Sequence, residues 1–152
     1  MIEKKIKELC GYDLPEAPKP LAAYIPVIKD GNHVYTAGQL PALNGEIKFK
    51  GKVGSDLSIE EGKKAAQMCI INCLSVVKSV AGSLENIDRI VKVTVFVASA
   101  EGFTEQHLVA NGASEFLGEV LGDKGIHVRS AVGVSELPVG VPVEIEMIAR
   151  LK

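Results

Sequence analysis

Three segments of the chain space their apolar residues three or four positions apart, as one face of an amphipathic helix does. The first, IEKKIKELC, runs into Gly11, which suits a helix stop. The second opens with a capping box formed by Ser58 and Glu61 and extends to Gly82. Its apolar stripe consists of Ala66, Cys69, Ile70, Cys73, Val77 and Val80. The third, GFTEQHLVANGASEFLGEVLG, contains two internal glycines, which weaken a helix.

Between and after these helices, β-branched segments bounded by turn residues predict strands. AYIPVI and HVYTAGQL flank the polar turn KDGN, and Pro26 marks the first of them as an edge or bulged strand. LNGEIKFKG contains Asn44-Gly45, a tight-turn signal, followed by a short strand. IDRIVKVTVFVAS, HVRSAVGV and VPVEIEMIARL supply the remaining strands. The predicted order after the first helix is β-β-β-α-β-α-β-β, an α+β fold with a mixed sheet and two helices on one face.

The strand IDRIVKVTVFVAS is apolar on both of its faces. Strict alternation places four valines on one face and a mixed set on the other, namely Val91, Val93, Val95 and Val97 against Lys92, Thr94 and Phe96. Because the two helices cover only one face of the sheet, the second face needs another cover. An interface between copies of the chain would provide it.

The proline-rich segment PEAPKP separates the first helix from the strands. We therefore predict an accessory N-terminal helix and linker over residues 1–20, packed outside any functional site. Residues 21–152 form one domain, which is long enough to bury a hydrophobic core.

Composition excludes several classes of function. The net charge is −2, Trp is absent, and no run of Lys or Arg occurs, so we expect no nucleic-acid partner. The apolar runs are too short to span a membrane, and the N-terminus does not resemble a secretory signal, so we expect a cytoplasmic protein without a membrane partner. Three cysteines fit no disulfide framework, and we interpret Cys69 and Cys73 as core residues rather than as a metal pair.

Arg129 is the residue that this pattern does not explain, because it lies in an otherwise small and apolar strand. A buried guanidinium needs a partner. One interpretation is a structural ion pair with Glu144 or Glu146; the other is a clamp for a ligand carboxylate, which the planar guanidinium suits. The residues alone favour the ion pair. His127 lies two positions before Arg129 and would share its strand face.

The sequence VRSAVGVSELPVGVPVEIEMIA resembles the C-terminal signature of the YjgF/Rid family of reactive enamine/imine deaminases. Upstream, VYTAGQLP and RIVKVTVFV resemble two further strands of that family, in the same order along the chain. The likeness runs from residue 21 to residue 152. The leading helix resembles that of a longer subgroup of the family.

The resemblance implies a chorismate-mutase-like fold and a homotrimer with its sites in clefts between subunits. It also implies hydrolysis of 2-enamino or 2-imino acids to 2-oxo acids and ammonia, with no metal or organic cofactor. Arg129 would bind the carboxylate of the substrate, and Glu144 would position or deprotonate the attacking water. The remaining substrate-binding positions that it implies are Tyr24, Gly38, Asn111 and Ala131.

The chain departs from the family pattern near the reacting carbon. Ala37 and Ala131 replace a serine and a cysteine, and His127 replaces a proline. These changes predict a more apolar pocket and a shifted substrate. They also leave open a second function, that of a non-catalytic trimeric protein that binds small carboxylates and regulates. A third, endoribonuclease activity, is disfavoured by the missing basic surface.

Overall fold

The structure is a computed structural model that describes residues 1–19 and 23–152. The described part of the chain contains three α-helices: α1 (Ile2–Cys10), α2 (Ile59–Ala81) and α3 (Gln106–Leu121). Its strands are β1 (Val27–Asp30), β2 (His33–Thr36), β3 (Ala42–Leu43), β4 (Glu46–Ile47), β5 (Ile87–Ala98), β6 (Val128–Val134) and β7 (Val143–Leu151).

A five-stranded sheet in the order β1-β2-β7-β5-β6 forms the centre of the molecule. Its neighbours pair antiparallel except β5 and β6, which are parallel, so the sheet is mixed. This confirms the predicted α+β fold. The third predicted strand does not join this sheet, because the Asn44-Gly45 turn folds β3 onto β4 as a separate hairpin.

Helices α2 and α3 pack side by side on one face of the sheet, as predicted. The inward residues of β7 are buried beneath them: Val143, Ile145, Met147, Ala149 and Leu151. Cys69 and Cys73 are fully buried on α2, and each thiol donates to a β7 carbonyl at 3.4 Å. The two cysteines are therefore core residues.

A glycine of α3 that weakens the isolated helix serves the packing of α2 against α3. A Cβ on Gly112 would collide with the backbone carbonyl of Lys63 on α2. The two helices can thus approach closely only if this position carries no side chain.

The prediction of strict alternation along β5 is wrong for the first half of this strand. The register between β5 and β7 shifts between Ile90 and Lys92, as in a β-bulge. As a result Ile90 is fully buried, whereas Val91 is only partly buried and leaves the face that Val93 occupies.

Helix α1 begins and ends as its pattern indicates, with Gly11 in the left-handed conformation at its C-terminus. Its central residue, Ile6, is fully buried in the core. The segment after it packs on the domain as well, because Tyr12, Leu14 and Ala17 lie partly buried against the core. The predicted boundary between residues 20 and 21 falls outside the described residues.

Candidate functional site

Arg129 lies on β6, the edge strand of the sheet, and its side chain points toward α3. The guanidinium donates to Asn111 Oδ1 and to Ser114 Oγ, each at 3.0 Å, and to the His107 carbonyl at 3.3 Å. Because Asn111 and Ser114 are three residues apart on α3, they lie on the same helical face. The helix therefore holds the guanidinium in a fixed orientation.

His127 extends this hydrogen-bond network on its far side. One ring nitrogen, Nδ1, lies 2.6 Å from the Gly125 carbonyl, which can only accept, so Nδ1 carries a hydrogen. In the neutral ring Nε2 is then an acceptor, and it lies 2.9 Å from Ser114 Oγ. Burial, with a smaller contribution from the positive charge of Arg129, lowers the pKa of His127 and favours that neutral form. Ser114 thus donates to His127 while it accepts from Arg129.

No carboxylate lies within 4 Å of Arg129 in the part of the chain that the structure describes. Within one chain, Arg129 therefore forms no ion pair with Glu144 or Glu146. Its hydrogen-bond partners are all neutral, so its positive charge is left uncompensated. Such an oriented guanidinium is suited to bind an anion.

Glu144 lies on β7 and lines a cavity of about 350 Å³, together with Tyr24 and Gly38. The backbone at Gly38 approaches the carboxyl group so closely that a Cβ there would lie 2.7 Å from Glu144 Cδ. Gln39, the next residue, holds this backbone by pairing with Ile145 of β7. The turn that follows is held by Asn72 of α2, whose amide donates to the carbonyls of Leu40 and Ala42.

The environment of Glu144 favours its neutral form. Burial raises the pKa of the Glu144 carboxyl, and the nearby negative charge of Glu146 raises it further. A carboxylate whose pKa is raised toward neutrality binds a proton more readily, which suits a general base.

Within one chain, Arg129 and Glu144 lie on opposite faces of the sheet. Arg129 is paired with Val93 of β5, which is buried under the helices. Glu144 is paired with Phe96, three residues further along the same strand. Because successive strand residues alternate between the faces, Val93 and Phe96 point to opposite sides.

The predicted site residues thus fall into two groups. Asn111 and Arg129 are in contact, and Ala131 follows on the same face of β6, partly buried against the core. Tyr24, Gly38 and Glu144 line the cavity on the other side. One chain alone does not bring the two groups together.

The sequence interpretation missed three contributors to these groups. Ser114 could have been found from its spacing of three from Asn111 on a predicted helix. The sequence around Asn72 predicts only a helix and gives no indication that this residue supports the site. The proline segment was interpreted as a linker outside the site, yet Pro15 and Pro18 line the cavity above Glu144.

The described residues contain neither a cluster of metal ligands nor a membrane-spanning helix. Over residues 1–19 and 23–152, no three His, Cys, Asp or Glu side chains are grouped as ligands of a metal ion. Within the same ranges, none of the helices is long and apolar enough to cross a membrane.

Comparison with known proteins identifies the family. The family model described as endoribonuclease L-PSP matches residues 14–151. Protein TCP17 of Trypanosoma cruzi is 38% identical over 142 residues, which is 93% of this chain and 89% of that protein. The crystal structure of Agrobacterium tumefaciens protein Atu1372, whose function is described as unknown, is 43% identical and superimposes with a TM-score of 0.93, covering 99% of this chain and 92% of that one.

A relative with a named reaction is more distant. The 2-iminobutanoate/2-iminopropanoate deaminase of Dermatophagoides farinae is 29% identical over 138 residues, covering 91% of this chain and 93% of that protein. The match to the endoribonuclease L-PSP model across nearly the whole chain, together with the mixed sheet and its two covering helices, shows that the chain belongs to the YjgF/Rid family.

Proposed function

We propose that the protein is a homotrimeric hydrolase that converts 2-imino and 2-enamino acids to 2-oxo acids and ammonia. Arg129 of one subunit binds the substrate carboxylate, and Glu144 of a neighbouring subunit positions the attacking water and accepts a proton from it. The observation that carries the proposal is the guanidinium of Arg129, which neutral partners hold in place and which no carboxylate among residues 1–19 and 23–152 of the same chain neutralises.

The separation of Arg129 and Glu144 on opposite faces of the sheet supports a shared site. A single chain cannot present both groups to one small molecule, but a second copy can if its edge strand β6 lies beside the cavity that holds Glu144 while the open faces of the sheets pack together. That face carries Tyr35 and Val132, which are 41% and 44% exposed in the single chain. Burying them would supply an apolar contact between subunits.

The reaction needs few groups from the protein. The imine carbon is electrophilic, so water adds to it when Glu144 accepts a proton from the water. The imine reacts as its protonated iminium form, so the C–O bond forms as the C=N electron pair moves to nitrogen and a neutral tetrahedral aminoalcohol results. Glu144 passes the proton taken from water to the amino nitrogen, then takes the hydroxyl proton as the C–N bond breaks, and ammonia leaves as the 2-oxo acid forms. An enamine enters the same route after it is protonated at its third carbon.

Arg129 contributes orientation to this reaction. A bidentate contact with the carboxylate fixes the imine carbon relative to the water, which turns an encounter into a positioned reaction. Asn111 and Ser114 keep the guanidinium in that orientation. The backbone beside Gly38 and Ala131 offers hydrogen-bonding groups for the imine nitrogen, and Tyr24 lines the cavity.

The named deaminase among the relatives supports this chemistry. The departures at Ala37 and Ala131 do not remove any group that the steps above require, because the carboxylate clamp and the base both remain. No cofactor enters these steps. The cytoplasmic location stays a prediction.

A second candidate is a non-catalytic protein that binds small carboxylates and regulates. The observation that favours it is the loss of polar side chains at Ala37 and Ala131, near the position of the reacting carbon. Such a protein would keep Arg129 for the same reason as the enzyme. The endoribonuclease activity in the family's description finds no concentrated positive surface in a chain of net charge −2.

The test is hydrolysis of imines made in place by an amino-acid oxidase, with semicarbazide present as a competing trap. We expect the wild-type protein to lower the yield of semicarbazone and to speed release of the 2-oxo acid. If no imine is hydrolysed but 2-oxo acids bind through Arg129, the carboxylate-binding function replaces the enzyme.

A further inference from the structure

The cavity above Glu144 has a wall that the N-terminal part of the chain supplies. We call residues 12–18 the wall segment. Pro15, Glu16 and Pro18 of this segment line the same cavity as Glu144. The segment precedes β1 and belongs to neither the sheet nor the two covering helices, so those elements do not supply this part of the lining.

The wall segment is held in place by the body of the domain. Ser75 of α2 is only 5% exposed, and its hydroxyl donates to the Pro15 carbonyl. Tyr12 packs against the core, and burial raises the pKa of its phenol. Pro15 and Pro18 further restrict the backbone of the segment. These contacts hold the wall segment on the domain without a ligand.

The lining of the cavity is mostly uncharged. Its apolar part comes mainly from six residues: Pro15, Pro18, Pro26, Leu40, Ala42 and Pro138. Among the described residues that line it there are two carboxylates, Glu16 and Glu144, and no lysine or arginine. An anionic group would therefore meet only negative charge in this cavity.

The volume of about 350 Å³ lies within the range of small-molecule sites, roughly 300–1,000 Å³. In the proposed reaction the substrate carboxylate lies at Arg129 and its second carbon lies near Glu144. The side chain of the substrate then has the cavity to fill. A methyl group would leave most of this space empty.

We propose that the wall segment makes the site selective for substrates with an extended apolar side chain, and that Glu16 disfavours acidic side chains. This inference rests on the proposed site, in which the carboxylate is bound by Arg129. It assigns the substrate class to 2-imino acids of the size of those derived from leucine or methionine.

The test is calorimetric binding of 2-oxo acids, which does not depend on catalysis. The probes are pyruvate, 4-methyl-2-oxopentanoate and 2-oxoglutarate. We expect 4-methyl-2-oxopentanoate to bind on the order of 10- to 50-fold more tightly than pyruvate, because three more carbons are buried. We expect 2-oxoglutarate to bind most weakly.

Two variants assign the selectivity to the wall segment. Pro15→Gly with Pro18→Gly should reduce the preference for 4-methyl-2-oxopentanoate to a few-fold, because the prolines no longer restrict the wall segment. Glu16→Gln should tighten 2-oxoglutarate several-fold and leave 4-methyl-2-oxopentanoate unchanged. Glu8→Gln, which removes a carboxylate from the exposed side of α1, is the matched control and should change neither.

Equal affinity of the wild-type protein for pyruvate and 4-methyl-2-oxopentanoate, or no binding of any probe, overturns the inference. The same holds if the double glycine variant folds and keeps the full preference. If imines are hydrolysed without regard to side-chain size, the proposed function stands and the wall inference fails. If 4-methyl-2-oxopentanoate binds selectively but no imine is hydrolysed, the wall inference stands and the proposed hydrolase function fails.

Discussion

Replacing Arg129 with alanine should remove ligand binding while it leaves the fold intact. The guanidinium contacts two side-chain oxygens and one backbone carbonyl, all neutral and partly open to solvent. Water can replace it at each of them. We therefore expect Arg129→Ala to lower the free energy of unfolding by about 1–2 kcal/mol. Each such hydrogen bond contributes modestly, and the substitution also removes an uncompensated positive charge, which offsets part of the loss.

The effect on binding should be larger. Removing the charged partner of a ligand carboxylate costs about 2–5 kcal/mol, which is roughly 30- to 5,000-fold in affinity or in kcat/KM. A stability change of about 1–2 kcal/mol would lower Tm by only a few degrees in a domain of this size. Arg129→Ala should thus lose most of its ligand affinity while it remains folded at the assay temperature.

The assay combines calorimetric titration of a 2-oxo acid, imine hydrolysis and thermal melting on the same preparation. Arg129→Lys should recover little, because an ammonium group cannot make two parallel hydrogen bonds. Arg89→Ala is the matched control, since Arg89 is exposed on β5, and it should behave as wild type. If Arg129→Ala unfolds the protein while its ligand affinity per folded molecule is unchanged, the carboxylate clamp is wrong.

Three further predictions follow from single contacts. Ser114→Ala removes one acceptor from the clamp guanidinium and should raise the Kd of a carboxylate ligand about tenfold with little change in Tm. Burial raises the pKa of Glu144, so the ionised carboxylate destabilises the fold once the pH rises above the ordinary carboxyl range. Glu144→Gln should therefore raise Tm at pH 7, lose that gain at about pH 4, and abolish hydrolysis. An unchanged Tm at pH 7 would contradict the buried position of this carboxyl group. Gly112→Ala should cost about 1–3 kcal/mol or more, because its Cβ would meet the Lys63 carbonyl, while Gly118→Ala, which meets nothing within 4 Å, should be neutral or stabilising by up to about 1 kcal/mol in chemical denaturation.

The elements of the fold followed from local pattern, because their signals are short-range. The capping box at Ser58 and the glycine at position 82 fix the two ends of α2 within the helix itself. The Asn44-Gly45 turn was likewise readable from two residues. The pairing of the short strand beside this turn could not be predicted, because the sequence of a two-residue strand does not indicate which neighbouring strand it joins.

Other features depend on contacts between distant segments. The shift of β5 at Ile90 arises where that strand pairs with β7, and alternation in one strand does not reveal it. Gly112 looked unfavourable within its own helix, since only the approach of α2 explains it. The role of the wall segment was missed for the same reason, because Pro15 meets Ser75 across sixty positions of sequence.

For the site, the residue types were informative and their arrangement was not. A guanidinium in a small-residue strand indicated a ligand contact or an ion pair, and only the structure shows that its partners are neutral. The register of β5 with its two neighbours places Arg129 and Glu144 on opposite faces. No spacing along the sequence predicts this, because the two residues belong to different strands.

The central claim is that one site is built from Arg129 of one subunit and Glu144 of another, and mixed trimers test it most directly. Arg129→Ala and Glu144→Gln chains, each inactive alone, are unfolded, mixed in equal amounts and refolded together. If sites are shared, about a quarter of them regain both residues by random assembly, and the mixture should show about a quarter of the wild-type hydrolysis rate. A mixture that forms trimers but remains as inactive as its two components would contradict the account.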